Sequence, residues 1–370
     1  MEAASASRVS ALVLDWYRRN ARVFPWRMGP EETRVGLRQD PYLVWLSEIM
    51  LQQTTTAHAE PYFQRFRSRW PTVHALGRAS WEDVSSAWAG LGYYSRARNL
   101  AACARIVSEV GGFPEDFHAL RDLPGIGPYT AAAIAAIAFG RRVAPVDGNI
   151  ERVVSRLAAI GGEPDGPGLR LVRRRVESAA QSLFDNLEEG APSGDLAQGL
   201  MDLGARICSP RRPACSVCPV AAECVAQAQG RPEAYPVKAP RSLRPNRYGA
   251  AFVPVRPDGA VFVVRRPPKG LLGGMTMPLT TPWGDAPFFE LPEGAPAAAW
   301  RRMGEVSHVF THFALSLQVW RADVGQGDVL VEEGRWVPQE EAIVMLPSLG
   351  RKILRNALSA DASPKARGSL

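Results

Sequence analysis

Four of the five cysteines in this 370-residue chain lie close together, and their spacing, C-x6-C-x2-C-x5-C, strongly limits how the chain can fold. They are Cys208, Cys215, Cys218 and Cys224. Four soft thiolates that one short loop brings together are suited to a metal ion or an iron–sulfur cluster. Two relaxed disulfides would be crowded here, and disulfides are uncommon in a reducing compartment. Zinc is the competing metal, although paired C-x2-C motifs are its commoner pattern, so the spacing alone leaves the choice open.

The pattern of apolar residues divides the chain into domains. Residues 8–227 have apolar positions at three- and four-residue spacing and many alanines, which predicts an all-α domain. Residues 228–247 are polar and rich in proline and arginine, and are predicted to be a linker. Residues 248–358 are predicted to form an α+β domain, because two apolar runs flank the turn sequence Arg-Pro-Asp-Gly. Residues 359–370 are expected to be a disordered tail.

The formal net charge of +7 agrees with binding to nucleic acid, but the distribution of the charge is more informative. Residues 169–176 carry four arginines, and residues 238–247 carry four basic side chains and no acidic one. Such clusters favour contact with a phosphate backbone, and solvated faces are the equally weighted alternative. The sequence has no apolar run of about 18 residues, so no membrane-spanning helix is expected. The first residues lack the pattern of a signal peptide, so a cytoplasmic location is expected.

Two acidic residues are candidates for acid–base chemistry. Glu48 has Val44, Trp45 and Leu51 as neighbours on the predicted helix. An apolar helix face desolvates a carboxyl group, which raises its pKa and keeps a proton available for transfer. A structural glutamate with a partner is the alternative. Asp147 precedes Gly-Asn-Ile-Glu, where a helix N-cap is the simple interpretation and does not exclude a catalytic role.

A glycine-containing turn is predicted at residues 123–130, where Leu-Pro-Gly-Ile-Gly-Pro-Tyr-Thr precedes an alanine-rich helical segment. Gly125 and Gly127 permit a tight turn with its amides exposed at a helix N-terminus. Such a turn attracts an anion, for example a DNA phosphate. An ordinary loop followed by a helix cap is the alternative.

Five motifs occur in the order found in helix–hairpin–helix base-excision glycosylases, and together they resemble adenine DNA glycosylases of the MutY type. They are SEIMLQQT at 47–54, GLGYYSR at 90–96, LPGIG at 123–127, VDGN at 146–149 and the cysteine loop at 208–224. The resemblance covers nearly the whole chain, because residues 248–358 resemble the family's Nudix-like recognition domain. It implies a 4Fe-4S cluster on the four cysteines and suggests a monovalent cation at the hairpin. It also implies a monomer that acts on double-stranded DNA containing 8-oxoguanine:adenine mispairs.

The resemblance implies a role for each matched position of the helical domain. Glu48 would protonate adenine at N7, and Asp147 would stabilise the positive charge that develops on the sugar or bond to the sugar transiently. Tyr129 and Asn149 would line the pocket that holds the flipped nucleotide. The positions implied to contact DNA, some of which wedge into the duplex as adenine is flipped out, are Leu51, Gln53, Tyr93, Gly125 and Gly127.

Two other functions are weighed against this one. Glycosylase/lyases of the endonuclease III type cleave the strand through a lysine Schiff base. Their lysine follows the hairpin, where this chain has Tyr129, and the first lysine in the chain is Lys238. A monofunctional glycosylase is therefore expected. A DNA-damage-binding protein without activity is disfavoured, because Glu48 and Asp147 are both present.

The Nudix-like second domain raises nucleotide pyrophosphohydrolysis as a further hypothesis. That activity needs the carboxylate cluster G-x5-E-x7-R-E-U-x-E-E-x-G to hold Mg²⁺, and residues 286–306 lack it. The domain is therefore interpreted as a binding module for 8-oxoguanine. Phe310, Thr311 and His312 align with the family's Phe-Ser-His loop, and the threonine keeps the hydroxyl. A strand edge is the alternative for these residues, and residues 276–278 depart from the family's sequence.

Overall fold

The computed structural model describes residues 2–162, 166–237, 244–267, 270–287, 290–291, 295, 298–310, 312–325 and 334–359. Contacts divide the chain into two compact units, residues 1–87 with 96–241 and residues 88–95 with 242–370. The predicted tail after residue 359, residues 238–243 of the predicted linker and Thr311 lie outside the described residues. The domain boundaries drawn from the sequence therefore stay predictions.

Before residue 238 the described residues form α-helices joined by short loops and turns, which confirms the all-α prediction. The helices are α1 (Ala3–Asn20), α2 (Pro30–Arg34), α3 (Pro41–Leu51), α4 (Thr56–Arg69), α5 (Val73–Gly77), α6 (Trp81–Trp88), α7 (Tyr94–Val110), α8 (Phe117–Arg121), α9 (Pro128–Ile137), α10 (Gly148–Leu157), α11 (Gly166–Asp185), α12 (Ser193–Arg206) and α13 (Val225–Ala228). Short 3-10 helices lie at Cys215–Val217, Ala221–Glu223 and Pro232–Ala234. Within the described part of the chain, no helix combines the length and apolar character needed to span a bilayer.

The core of the helical unit forms where α12 packs against α1, α9 and α10. Apolar side chains of α1, α11 and α12, such as Val13, Leu183 and Leu200, are fully buried there. Helix α12 approaches α10 so closely that a β-carbon at Gly204 would lie 3.0 Å from the carbonyl oxygen of Asn149. Only glycine therefore permits this contact, which fixes the start of α10 against α12.

Residues 232–237 pack against the helical unit, although the sequence predicts them to be part of a linker. The carbonyl oxygen of Tyr235 accepts a hydrogen bond from Nε of Arg156 at 3.1 Å. The Glu233 carboxylate accepts one from the backbone amide of Arg212 at 2.8 Å. The buried guanidinium of Arg156 needs acceptors, and this polar segment supplies one of them.

The second unit contains a seven-stranded sheet. Its strands are β1 (Asn246–Val255), β2 (Val261–Arg265), β3 (Thr276–Met277), β4 (Leu279–Thr280), β5 (Arg301–Val309), β6 (Ala314–Asp323) and β7 (Gly334–Val337). The main path runs β3-β2-β1-β6-β5, with β4 paired to β1 and β7 to β2. Strands β1 and β6 are parallel and the other pairs are antiparallel. The predicted hairpin is confirmed, because Val255 of β1 pairs with Val261 of β2.

Two helices, α14 (Gln339–Met345) and α15 (Ser348–Leu358), complete the second unit. Alternate residues of β6, among them Leu315, Leu317 and Val319, are buried. They form one core with Ile353 and Leu354 of α15. The α+β prediction for this part of the chain is therefore confirmed.

Candidate active site

A cavity of about 520 Å³ lies within the helical unit, and parts of α3, α9, α10 and α12 form its wall. The residues predicted to act on the nucleotide all line it, although they are far apart in sequence: Glu48, Tyr129, Asp147 and Asn149. Leu51 and Gln53, which are predicted to contact DNA, line it as well. A cavity of this size accommodates a small organic molecule such as one nucleotide.

Glu48 lies on the buried face of α3 and is only 8% exposed. Burial is the largest cause that raises the pKa of its carboxyl group, from the usual 4.5 to about 7. A hydrogen bond from Tyr129 and the charge of Arg27 act in the opposite direction, while the charge of Asp147 adds to the rise. A carboxyl group with such a pKa holds its proton in a large fraction of molecules near neutral pH, as a general acid must.

Asp147 is the N-cap of α10, as the sequence predicts. One of its oxygens accepts hydrogen bonds from the amides of Asn149 at 2.9 Å and Ile150 at 2.7 Å. The other oxygen accepts one from the side-chain amide of Asn149 at 2.7 Å. Burial raises the pKa of this carboxyl group, and the three hydrogen bonds oppose the rise because they stabilise the anion. The cap therefore holds the group in place at the cavity wall.

Arg152 connects this cap to the cysteine loop, a contact that sequence reasoning missed. Its Nη2 donates to the side-chain oxygen of Asn149 at 2.9 Å and to the carbonyl oxygen of Gly204 at 2.7 Å. Its Nε donates to the carbonyl oxygen of Cys208 at 2.7 Å. The guanidinium thus joins the start of α10, the end of α12 and the first predicted ligand cysteine.

The four predicted ligand cysteines line one cavity next to α10. The buried Arg156 donates to Sγ of Cys208 at 3.2 Å and to the carbonyl oxygen of Ser209 at 2.7 Å. Sγ of Cys224 donates to the carbonyl oxygen of Arg156 at 3.4 Å. Among the described residues, no group of three or more His, Cys, Asp or Glu has the geometry to hold a single metal ion.

Asp202 organises another wall of the catalytic cavity, and sequence reasoning missed it. Its fully buried carboxylate accepts from the backbone amide and Nε of Arg22 and from Nη1 of Arg27, at 2.7 to 3.1 Å. Both guanidinium groups lie over the ring of Phe24, which stacks on Trp26 with the ring centroids 4.9 Å apart. The sequence signal was an acid with apolar neighbours, Leu200, Met201 and Leu203, which is similar to the signal that pointed to Glu48.

Arg96 binds the C-terminal end of the helix that carries Glu48. Its Nη1 donates to the carbonyl oxygens of Ile49 and Met50, both at 2.9 Å, and to that of Gln52 at 2.5 Å. The last carbonyl groups of a helix have no hydrogen-bond partner within the helix, so they need other donors. The next residue, Gln53, is exposed and has a φ of 55°, a left-handed conformation that is strained for a residue with a side chain. Arg96 lies in the motif at residues 90–96, but its role was not recognised in the sequence.

The predicted hairpin is present in the helical unit, where a short turn joins α8 to α9. Gly125 has a φ of 77°, and Gly127 is the N-cap of α9 with Pro128 as the first helical residue. Tyr93 belongs to the second compact unit, is 49% exposed and has a φ of 48°. Like Gln53, it is an exposed side chain on a strained backbone, which is typical of functional positions.

In the second unit, aromatic rings surround the start of the predicted recognition loop. The ring of Phe310 stacks on that of Trp283, with centroids 5.7 Å apart, and contacts those of His308 and Phe313. His312 is exposed, and Thr311 lies outside the described residues. The rings therefore fix Phe310 and leave His312 at the surface.

Comparison with known proteins shows which families the two units resemble. Residues 46–179 match the family described as HhH-GPD superfamily base excision DNA repair protein, and residues 250–356 match the NUDIX domain family. The chain is 37% identical to the adenine DNA glycosylase of Homo sapiens over 389 residues, which cover 89% of this chain and 70% of the human protein. The chain belongs to the adenine DNA glycosylase family. The adenine DNA glycosylase of Mycobacterium tuberculosis is 39% identical over 210 residues, 56% of this chain and 64% of that protein.

A solved structure supports the fold of the helical unit. A thermostable thymine-DNA glycosylase is 27% identical, with a TM-score of 0.50, and the match covers 61% of this chain and 98% of that one. The family assignment confirms the predicted fold class and an adenine glycosylase activity. The individual roles assigned to the cavity residues of this adenine DNA glycosylase stay predictions.

The burial of Glu48 predicts a pH-dependent stability of this glycosylase. Since the folded pKa of about 7 exceeds the usual 4.5, the folded state loses stability as the pH rises through that interval. The difference corresponds to about 3 kcal/mol. Glu48→Gln is therefore expected to raise the free energy of unfolding at about pH 8, and far less at pH 4.5, in chemical denaturation. Glu31→Gln on the exposed surface of α2 is the control. An equal effect of Glu48→Gln at both pH values would contradict the prediction.

The contacts of Arg96 predict that it positions both Glu48 and Gln53. Arg96→Met leaves buried carbonyl groups without a charged donor, which is expected to cost about 2 kcal/mol of stability. Single-turnover excision of adenine should slow by roughly tenfold or more, because small misplacements of catalytic groups are costly. Arg105→Met, at an exposed position on the same helix α7, is the matched control and should leave the rate unchanged. Equal rates for the Arg96 and Arg105 variants would show that Arg96 does not position the site.

Proposed function

We propose that this enzyme removes adenine paired with 8-oxoguanine, or with guanine, from duplex DNA by hydrolysis of the N-glycosidic bond in base-excision repair. The observation that carries the proposal is the pair of acids in the wall of one nucleotide-sized cavity, the buried Glu48 and the half-buried Asp147. Their environments suit them to different tasks, because one has a pKa near neutrality and the other is held by three hydrogen bonds. Such a division between two carboxyl groups is a common basis of glycoside hydrolysis.

Glu48 acts as the general acid in this proposal. It donates its proton to N7 of adenine, so that the base leaves as a neutral molecule and the glycosidic bond breaks. Asp147 faces the sugar, where its carboxylate stabilises the positive charge that develops at C1′. Tyr129 holds the Glu48 carboxyl, and Asn149 holds the Asp147 carboxylate through its side-chain amide.

The reaction ends with an abasic site and not with a strand break. A lyase step needs an amine that forms a Schiff base with C1′. The chain has no lysine before Lys238, and the hairpin position that carries the lysine in lyases is Tyr129. We infer that water attacks C1′ of the sugar cation.

Adenine must leave the base stack before it can enter the cavity. The strained, exposed Gln53 borders the cavity that contains Glu48, so its side chain is suited to fill the space that the flipped base leaves. Tyr93 has the same two properties and is proposed to act in the same way. Phe310, Thr311 and His312 are proposed to probe the 8-oxoguanine on the opposite strand.

The four cysteines are proposed to hold one 4Fe-4S cluster. They line a single cavity, and the resemblance of the chain to adenine DNA glycosylases supports a cluster over zinc. The hydrogen bond from Arg156 to Sγ of Cys208 would hold that sulfur in position. When bound, the cluster would cross-link the loop. It would supply no group that takes part in cleavage of the glycosidic bond. Arg152 and Arg156, which lie on α10, bind the loop, so an ordered loop would hold α10 in position.

The proposed chemistry predicts the outcome of a single-turnover assay on duplexes with an 8-oxoguanine:adenine or a guanine:adenine pair. The unaltered protein should produce abasic sites, with a rate that falls as the pH rises through about 7. Glu48→Gln removes the proton donor and should lower the rate by roughly a hundredfold or more, whereas Glu31→Gln should not. Absence of abasic product from the unaltered protein on both duplexes would exclude the function. Efficient trapping on DNA by borohydride would contradict the monofunctional mechanism.

The proposed cluster predicts about four iron atoms and no zinc in each purified chain. Cys215→Ser should lower the iron content, weaken the affinity for DNA and reduce stability, because the loop loses one ligand. Cys103→Ser, at a buried position on α7 outside the loop, is the control and should retain the iron. Zinc in the unaltered protein, or full iron and full DNA affinity in Cys215→Ser, would contradict the assignment.

A further inference from the structure

A second cavity, of about 280 Å³, lies in the helical unit beside the catalytic one. Residues 33–39, which include the end of α2, form one side of it, and residues 190–195, at the start of α12, form another. Gln39, Ile137 and Gln198 line both cavities, so a wall of these three side chains separates them. A molecule released in the catalytic cavity is therefore one layer of side chains away from the second one.

The second cavity contains a buried hydrogen-bond acceptor. Asp195 is only 3% exposed, and one of its oxygens accepts a hydrogen bond from the Thr33 hydroxyl at 2.7 Å. Its other oxygen, Oδ1, is also buried and accepts no hydrogen bond from the described residues. A buried carboxylate oxygen requires a donor, so this site favours a ligand that brings an N–H or O–H group.

The side of the cavity nearer to solvent contains hydrogen-bond donors. Arg34, Arg38 and Arg142 all line it and are exposed. Arg34 also donates to Glu31, and Arg142 donates to the carbonyl oxygens of Asp185 and Glu188, so Arg38 is the donor best placed to serve a ligand. The guanidinium of Arg38 lies against Gly140, at the place where a β-carbon of any other residue would be. The cavity thus combines guanidinium donors with a buried carboxylate acceptor, an arrangement that disfavours a simple anion because of the charge of Asp195.

Adenine has the complementary pattern. Its exocyclic amine is a donor, and the ring nitrogens next to that amine are acceptors. The amine matches Oδ1 of Asp195, and the ring nitrogens match the arginine side of the cavity. Hypoxanthine has nearly the same shape but carries a carbonyl oxygen in place of the amine. That oxygen would be repelled by the Asp195 carboxylate.

We propose that this second cavity is a binding site for free adenine, the base that the reaction releases. The inference rests on the proposed function for the source of the ligand, but the binding itself requires no turnover. Asp195 selects the amine, and the arginines contact the ring nitrogens. Burial raises the pKa of Asp195 to about 6, with the Thr33 hydrogen bond and the charge of Arg18 opposing it, so the carboxylate is mostly ionised above neutral pH.

The test is equilibrium binding of free adenine and of hypoxanthine to the full chain at about pH 8. The protein is first bound to a duplex with a non-cleavable abasic analogue opposite 8-oxoguanine, and the titration is repeated without DNA. Adenine is expected to bind at least about tenfold more tightly than hypoxanthine. Asp195→Asn should abolish or invert this preference, because the new amide group can donate to the carbonyl of hypoxanthine. Asp185→Asn, outside the cavity, is the matched control.

Further variants locate the bound base. Leu37→Trp, at an exposed position in the cavity wall, should block the cavity and weaken binding of both bases without unfolding the protein. Glu48→Gln alters only adenine that binds in the catalytic cavity, so a preference for adenine that Glu48→Gln removes and Asp195→Asn retains would place the base there instead. The proposal is overturned if adenine does not bind saturably, or if Asp195→Asn retains the preference. Normal excision without adenine binding would reject this site alone, whereas adenine binding without excision would reject the proposed function alone.

Discussion

The capping of α10 by Asp147 is the interaction on which the rest of the helical unit depends. The cap holds a candidate catalytic carboxylate at the cavity wall and starts the helix that reaches the cysteine loop. One turn later Arg152 binds the cap and the loop, and another turn later Arg156 contacts Cys208. A single helix thus carries a candidate catalytic acid at one end and supports the loop farther along. The loop can therefore affect catalysis through the position of α10 without touching the reacting atoms.

The second constraint is the shared burial of Glu48 and Asp147. The charge of Asp147 disfavours ionisation of Glu48, and burial disfavours ionisation of both carboxyl groups. The hydrogen bonds of the cap resolve this competition, because they stabilise the anion at Asp147 while Glu48 retains its proton. The different roles of the two acids follow from the position of one at a helix N-terminus and of the other on an apolar helix face.

The sequence predicted these two acids and the fold class because local rules determine them. An N-cap needs only Asp147 and the residues after it, and the desolvation of Glu48 follows from its neighbours on α3. The roles of Arg96 and Asp202 depend on partners far away in the chain, such as the carbonyls at the end of α3 and the arginines after α1. Such contacts have no spacing that a single sequence reveals. The packing of residues 232–237 against the helical unit was missed for the same reason, because it depends on a hydrogen bond from the distant Arg156 of α10.

Three buried carboxyl groups of the helical unit show how the surroundings decide the role of an acid. Asp202 accepts hydrogen bonds from two arginines, so its charge is compensated and the group is structural. Among the described residues Glu48 has no such ion pair, and burial raises its pKa so that a large fraction of molecules keeps the proton near neutral pH. Asp195 has one hydroxyl donor and one oxygen without a partner among the described residues, so it is neither compensated like Asp202 nor placed at the reacting bond. An acid in this intermediate situation is suited to bind a ligand that donates a hydrogen bond, and adenine, which the neighbouring cavity is proposed to release, is such a ligand.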